Sequence, residues 1–144
     1  MDVDALLSTK GSHVATVRPD ITVEAAVGTL RDEGVGALVV SQDGATIAGI
    51  LSERDVVRGL AERGRALLDM KVSDLMTATV KTCERDANIQ DIMSLMTTSR
   101  FRHLPVVEDG RLCGIISIGD VVKNRLEELE AETNTLRDFI VGRS

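Results

Sequence analysis

Ser52 and Asp55 in GILSERDVV (positions 49–57) return as Ser117 and Asp120 in GIISIGDVV (positions 114–122). An ionised carboxylate only accepts hydrogen bonds, and it can take two at once. A serine three residues before it stands where a helix N-cap belongs. The free N–H groups of a helix start also attract anions. Such a pair therefore either caps and charges a helix or offers a ligand a carboxylate beside a cluster of N–H donors. The aliphatic flanks follow from any strand-to-helix junction. The return of the serine and the aspartate at one spacing does not.

Other reactive residue types form no familiar constellation. His13 and His103 lie far apart and match no metal-ligand spacing. Cys83 and Cys113 form no CxxC, and they read as small apolar filler in preference to a disulfide or a redox pair. EGVGALV at 33–39 begins like a dinucleotide-binding loop, but Val39 stands where its last glycine belongs. There is no P-loop, HExxH or Gly-x-Ser-x-Gly. No catalytic set emerges, and no enzyme activity is expected.

The elements that must position the two Ser/Asp pairs are themselves duplicated. GVGALVVSQDG at 34–44 falls on RFRHLPVVEDG at 100–110 with an offset of 66, which becomes 65 after the turn. Each copy opens on a short strand, VATV at 14–17 and TVKT at 79–82. A helix follows, capped by Thr22 in one copy and Asn88 in the other. Val23, Ala26, Val27 and Leu30 share a face of the first, and Ile89, Ile92, Met93 and Met96 share a face of the second. Two strands joined at Asp-Gly come next, because Gly44 and Gly110 can take a positive φ. The helix that begins at the Ser/Asp pair closes the copy. The string is β-α-β-β-α, twice, in an α/β mixed (α+β) fold. Either copy alone is too small for a good core, and packing face to face solves that. Copy one spans 8–65 and copy two 79–131. ALLDMKVSDLMTA (66–78) links them, and 132–144 extend the last helix.

The ordered set GVGALVV, DG, AGILSERD, VSDLMT and RHLPVVEDGRLCGIISIGD resembles tandem CBS domains, the modules named after cystathionine β-synthase. The resemblance covers nearly the whole chain and implies a pseudo-twofold pair with two clefts. It also implies that the clefts take adenine nucleotides such as AMP, ATP or NAD(H), that the pair acts as a regulatory sensor, and that it forms a homodimer. The aspartate of each motif would hold the ribose hydroxyls, and the serine a nearby oxygen. The implied clefts are crossed. Ser52, Arg54 and Asp55 would share one with Met76, Lys81, Phe101, Arg102 and His103. Ser117 and Asp120 would share the other with Lys10, Ala15, Val35, Gly36 and Ala37. Arg102 and His103 precede LPV in copy two, where copy one has Gly36 and Ala37, so the Asp55 cleft is expected to suit phosphate better. A ligand-free assembly domain is the alternative.

Composition sets the outer limits. The net charge is −6, and the only aromatics are Phe101 and Phe139. Nucleic-acid binding, which leans on basic surface and stacking, is not expected. No run approaches the ~18 apolar residues of a membrane span, and the acidic MDVDALLSTKGSH start shows no secretory signal, so a cytoplasmic protein is expected. Leu126, Leu129, Thr133, Leu136 and Ile140 mark an apolar stripe near the end. It would cover either its own lobe or a second chain.

Overall fold

The computed structural model describes residues 1–142. Helix α1 (Val3–Lys10) comes first. Copy one then runs β1 (Thr16–Val17), α2 (Val23–Glu33), β2 (Ala37–Val40), β3 (Gly49–Ser52) and α3 (Glu53–Arg63). A 3-10 turn (Gly64–Asp69) and α4 (Val72–Leu75) form the link. Copy two runs β4 (Cys83–Glu84), α5 (Ile89–Ser99), β5 (His103–Glu108), β6 (Arg111–Ser117) and α6 (Ile118–Ile140). Each copy builds a three-stranded sheet in sequence order, with one parallel and one antiparallel pairing. This is the expected α/β mixed pair of repeats.

The helix starts follow from their caps. Thr22 accepts the N–H of Ala25 and Asn88 that of Gln90, so α2 and α5 begin where the sequence places them. Val23, Ala26 and Leu30 of α2 are buried, as are Ile89, Ile92 and Met96 of α5.

Two local expectations are corrected, and one open alternative is resolved. The first strand of copy two is Cys83–Glu84 rather than 79–82, because the register seats Cys83 beside Val106 as Val17 sits beside Val40. The two Asp-Gly turns also differ. In copy two, Asp109 and Gly110 take φ 51° and 77° and join β5 to β6 with a two-residue turn. In copy one the ladder stops at Val40–Gly49, leaving an eight-residue loop from Ser41 to Ala48. There the Asp43 carboxylate accepts the N–H groups of Ala45 and Thr46 at 2.9 and 2.7 Å, and Ser41 Oγ accepts that of Gly44. Side chains have taken over donors that a hairpin would have used. Finally, α6 is one continuous helix, and its stripe does not cover its own lobe. Leu126, Leu136 and Phe139 are 61, 59 and 81% exposed.

The two cores exchange helices. Val3, Leu6 and Leu7 of α1 pack with Ile89, Ile92, Met96, Leu104 and Ile116 of copy two. Val72, Leu75 and Met76 pack with Ala26, Leu30, Leu38 and Leu51 of copy one. The anchoring bonds correspond. Val3 N–H donates to Ala87 O at 2.9 Å, and Val72 N–H donates to Ile21 O at 2.9 Å. MDVDALL at 1–7 is thus the counterpart of MKVSDLM at 70–76. The first ten residues are a structural part of copy two, although they precede copy one.

Candidate functional site

Strands β3 and β6 each run straight into a helix. Ser52 and Ser117 are the N-caps, each accepting the N–H of the aspartate three residues on. Asp55 Oδ2 accepts the Ser52 N–H at 2.9 Å and the Ser52 hydroxyl at 3.0 Å. Asp120 Oδ2 accepts the Ser117 N–H at 2.8 Å. Both pairs are reciprocal capping boxes. Capping alone accounts for part of the repeated motif, but it uses one oxygen of each carboxylate. Among the described residues, Oδ1 of Asp55 and of Asp120 takes no protein hydrogen bond.

Asp55 lies on a cleft of about 850 Å³ whose walls come from both copies. Pockets for small ligands run roughly 300–1,000 Å³. Copy one contributes Gly36, Ile50 and the start of α3. The segment after α4 contributes Thr77, Thr79, Val80 and Lys81, and copy two contributes Arg100 to His103. Ser52, Arg54, Asp55, Lys81, Phe101, Arg102 and His103 all line this one cleft. Arg54, Arg58, Lys81, Arg100 and Arg102 bring positive charge, against Glu53 and Asp55. Arg58 and Glu53 were not anticipated. The signal for Arg58 was present, since it follows Arg54 by four residues and so shares its helix face.

Three expected cleft residues, Met76, Gly36 and Ala15, lie elsewhere. Met76 is turned into the core, so close under Gly49 that a Cβ there would lie 2.5 Å from its sulfur. Gly36 belongs to the Asp55 cleft and not to the Asp120 side. It lies against the His103 ring, where a Cβ would meet Nε2 at 3.2 Å. A side chain at position 36 would crowd the histidine. Ala15 and Ala37 are buried, Ala15 within the core of copy one, and Val35 is 37% exposed.

His103 links the cleft to the second Ser/Asp pair. It pairs with Ser117 across the sheet while its ring lines the Asp55 cleft. Burial, then the charge of Lys10, holds its pKa below the usual imidazole value of 6.5, against the pull of Glu53 and Asp120. At Asp120, burial works to raise the carboxyl pKa. The Lys10 hydrogen bond and charge, with the bonds from Ser117, outweigh burial and leave it below its ordinary value. Lys10 Nζ lies 2.5 Å from Asp120 Oδ2 and donates to Ile115 O at 2.7 Å.

The cysteines are free. Strands β4 and β6 flank β5, which sets these two positions roughly 9–10 Å apart, beyond the ~7 Å limit of a disulfide. Burial pushes the Cys83 thiol up to about 11 and also raises Cys113. Neither thiol is poised as a thiolate at neutral pH.

A family model described as CBS domain matches residues 6–62 and 72–127. The chain belongs to the CBS-domain family. The pair is similar to the CBS-domain containing protein ATU1752 from Agrobacterium tumefaciens, whose crystal structure superposes with a TM-score of 0.84 at 46% identity. That match covers 87% of this chain and 99% of the other. The CBS domain-containing protein CBSX3, mitochondrial, of Arabidopsis thaliana is 39% identical over 127 residues. The match takes in 85% of this chain and 62% of that protein's length. The CBS domain pair of protein MJ0100, solved in complex with 5′-methylthioadenosine and S-adenosyl-L-methionine, shares the fold with a TM-score of 0.79. It is 20% identical, with 89% of this chain and 98% of that one covered. No helix among the described residues of this CBS pair is long and apolar enough to cross a membrane.

Proposed function

We propose that this CBS pair is a non-catalytic regulatory module that senses an adenine nucleotide in the Asp55 cleft. One observation carries the reading. A carboxylate with a free oxygen stands at a helix N-terminus, in a cleft whose opposite wall is cationic and belongs to the other copy. Asp55 Oδ1 suits a ribose hydroxyl, and Ser52 and the N–H groups of α3 suit a neighbouring oxygen. Arg54, Lys81 and Arg102 suit the phosphates of ATP, AMP or NAD(H). Adenine then lies against Ile50 and Phe101. A likeness in fold to a pair that holds adenosine compounds supports the same ligand class here. Because its ligand touches both copies, occupancy alters how they meet, and this is what a regulated partner protein would read. The cytoplasm is the compartment we assign.

The test is calorimetry of the purified chain with ATP, AMP and NADH, paired with mass spectrometry of small molecules released on denaturation. Saturable binding of one of them that Arg102→Ala weakens supports the reading. No binding of any, with no adenine compound released, leaves the ligand-free assembly role in its place.

A further inference from the structure

The two Ser/Asp pairs match in sequence and in capping geometry, yet among the described residues Asp120 is ion-paired and Asp55 is not. Lys10 ends α1, and Gly11 stops the helix there with φ 101°. Its ammonium reaches Ile115 O and Asp120 Oδ2, and both side chains are largely withdrawn from solvent, at 31 and 24% exposure. The matching position in the other half is Thr79, three residues past Met76 as Lys10 is past Leu7. The carbonyl that matches Ile115 is Ile50, and there the backbone N–H of Thr77 supplies the bond at 2.9 Å. In copy two the chain is still helical at that point and offers no such N–H. The Lys10 side chain takes its place and, having a charge to neutralise, also takes Asp120.

We infer that Lys10 fills the Asp120 site from within, so that the pair holds a nucleotide only at Asp55. This rests on the nucleotide reading of the Asp55 cleft. A diol approaching Asp120 finds Oδ1 open, as at Asp55, but on a carboxylate whose charge is already met at Oδ2 by an ammonium that has a second acceptor holding it in place. A charged hydrogen bond of this kind is among the stronger ones in proteins. Lys10 is thereby the residue that sets the number of sites.

The experiment counts sites on the full chain by calorimetry, with ATP and separately with AMP. The wild type should take one nucleotide per chain. Lys10→Met, which keeps the stem and drops the charge, should take two. Asp55→Ala should keep only one site, weakened roughly 10- to 100-fold, and the Lys10→Met, Asp55→Ala double variant should add to it a second site of unweakened affinity. If melting shows Lys10→Met unfolded, Lys10→Gln replaces it, since its amide can still serve Ile115 O. Two sites in the wild type, or a site count unchanged by Lys10→Met, overturns the inference. A second measurement needs no nucleotide. The Asp120 carboxyl, followed by carbon NMR, should titrate higher in Lys10→Met than in the wild type, and no change means that the ion pair is absent. Absence of binding in both chains, with that titration shift present, overturns the nucleotide reading and the site count while the ion pair stands.

Discussion

Ser52 and Asp55 satisfy each other through a single carboxylate oxygen, which frees the second for whatever enters the cleft. Helix cap and ligand acceptor are therefore compatible roles for one side chain, and substitution separates them. Asp55→Ala should cost about 1 kcal/mol of stability through the weakened helix start. It should also weaken ATP or AMP by roughly 10- to 100-fold, the value of charged hydrogen bonds of ~1.5–3 kcal/mol. Thermal melts with and without nucleotide measure both. A lower melting temperature with full nucleotide-induced stabilisation would mean that Asp55 only caps.

His103 gives a pH dependence with a defined direction. Its folded pKa lies below the unfolded 6.5. The unfolded chain therefore takes up a proton first as pH falls, and apo stability should drop from about pH 6.5 down to the folded pKa, then level off. A phosphate in the cleft favours the charged ring. Nucleotide affinity should thus rise between pH 8 and pH 6 with uptake of a proton, and His103→Gln should flatten both profiles. Calorimetry in buffers of different ionisation enthalpy counts that proton. An affinity independent of pH in the wild type would remove His103 from phosphate contact.

Gly49 and Gly114 are corresponding positions with unequal surroundings. A Cβ at 114 would press on the flexible ends of Leu7, at 2.8 and 2.9 Å. One at 49 would press on Met76 and on the Thr77 backbone carbonyl at 2.9 Å. Overpacking costs about 1–3 kcal/mol. Gly49→Ala should fall at the upper end and Gly114→Ala at the lower, because a leucine tip yields and a bonded backbone does not. Urea denaturation of both variants ranks them, and the reverse order would refute the argument.

The exposed α6 stripe offers an apolar face to a second chain. We expect a homodimer at micromolar concentration by light scattering. Leu129→Glu, at a position already 41% exposed, should shift it toward monomer with little change in monomer fold. A wild type that stays monomeric would rule the stripe out as a self-association face.

The repeat was legible because periodicity and capping are local. Thr22, Asn88, Ser52 and Ser117 announce their helices within a turn. The grouping of Arg102 and His103 with Asp55 was legible only through the family resemblance, since nothing local says that the copies cross. The copy-one loop was misread because Asp43 spends its side chain on backbone donors that Asp109 leaves to the turn. Met76 was misread because its role depends on the absence of a side chain at Gly49, 27 positions earlier in the chain. The part played by α1 was readable from MDVDALL against MKVSDLM, a likeness that runs at its own offset and so escapes an alignment made on the strands.

That exchange of helices has a consequence for how the chain is made. Val3, Leu6 and Leu7 leave the ribosome before copy one, but Leu104 and Ile116, which bury them, emerge only after it. Copy one can close as soon as Val72 to Met76 appear. During synthesis the leading segment therefore waits, apolar and uncovered, beside a half that has already folded. Contacts of such long sequence separation form late and slow folding. A nascent chain arrested before β5 would be a folded copy one with α1 unburied beside it, a substrate for chaperones.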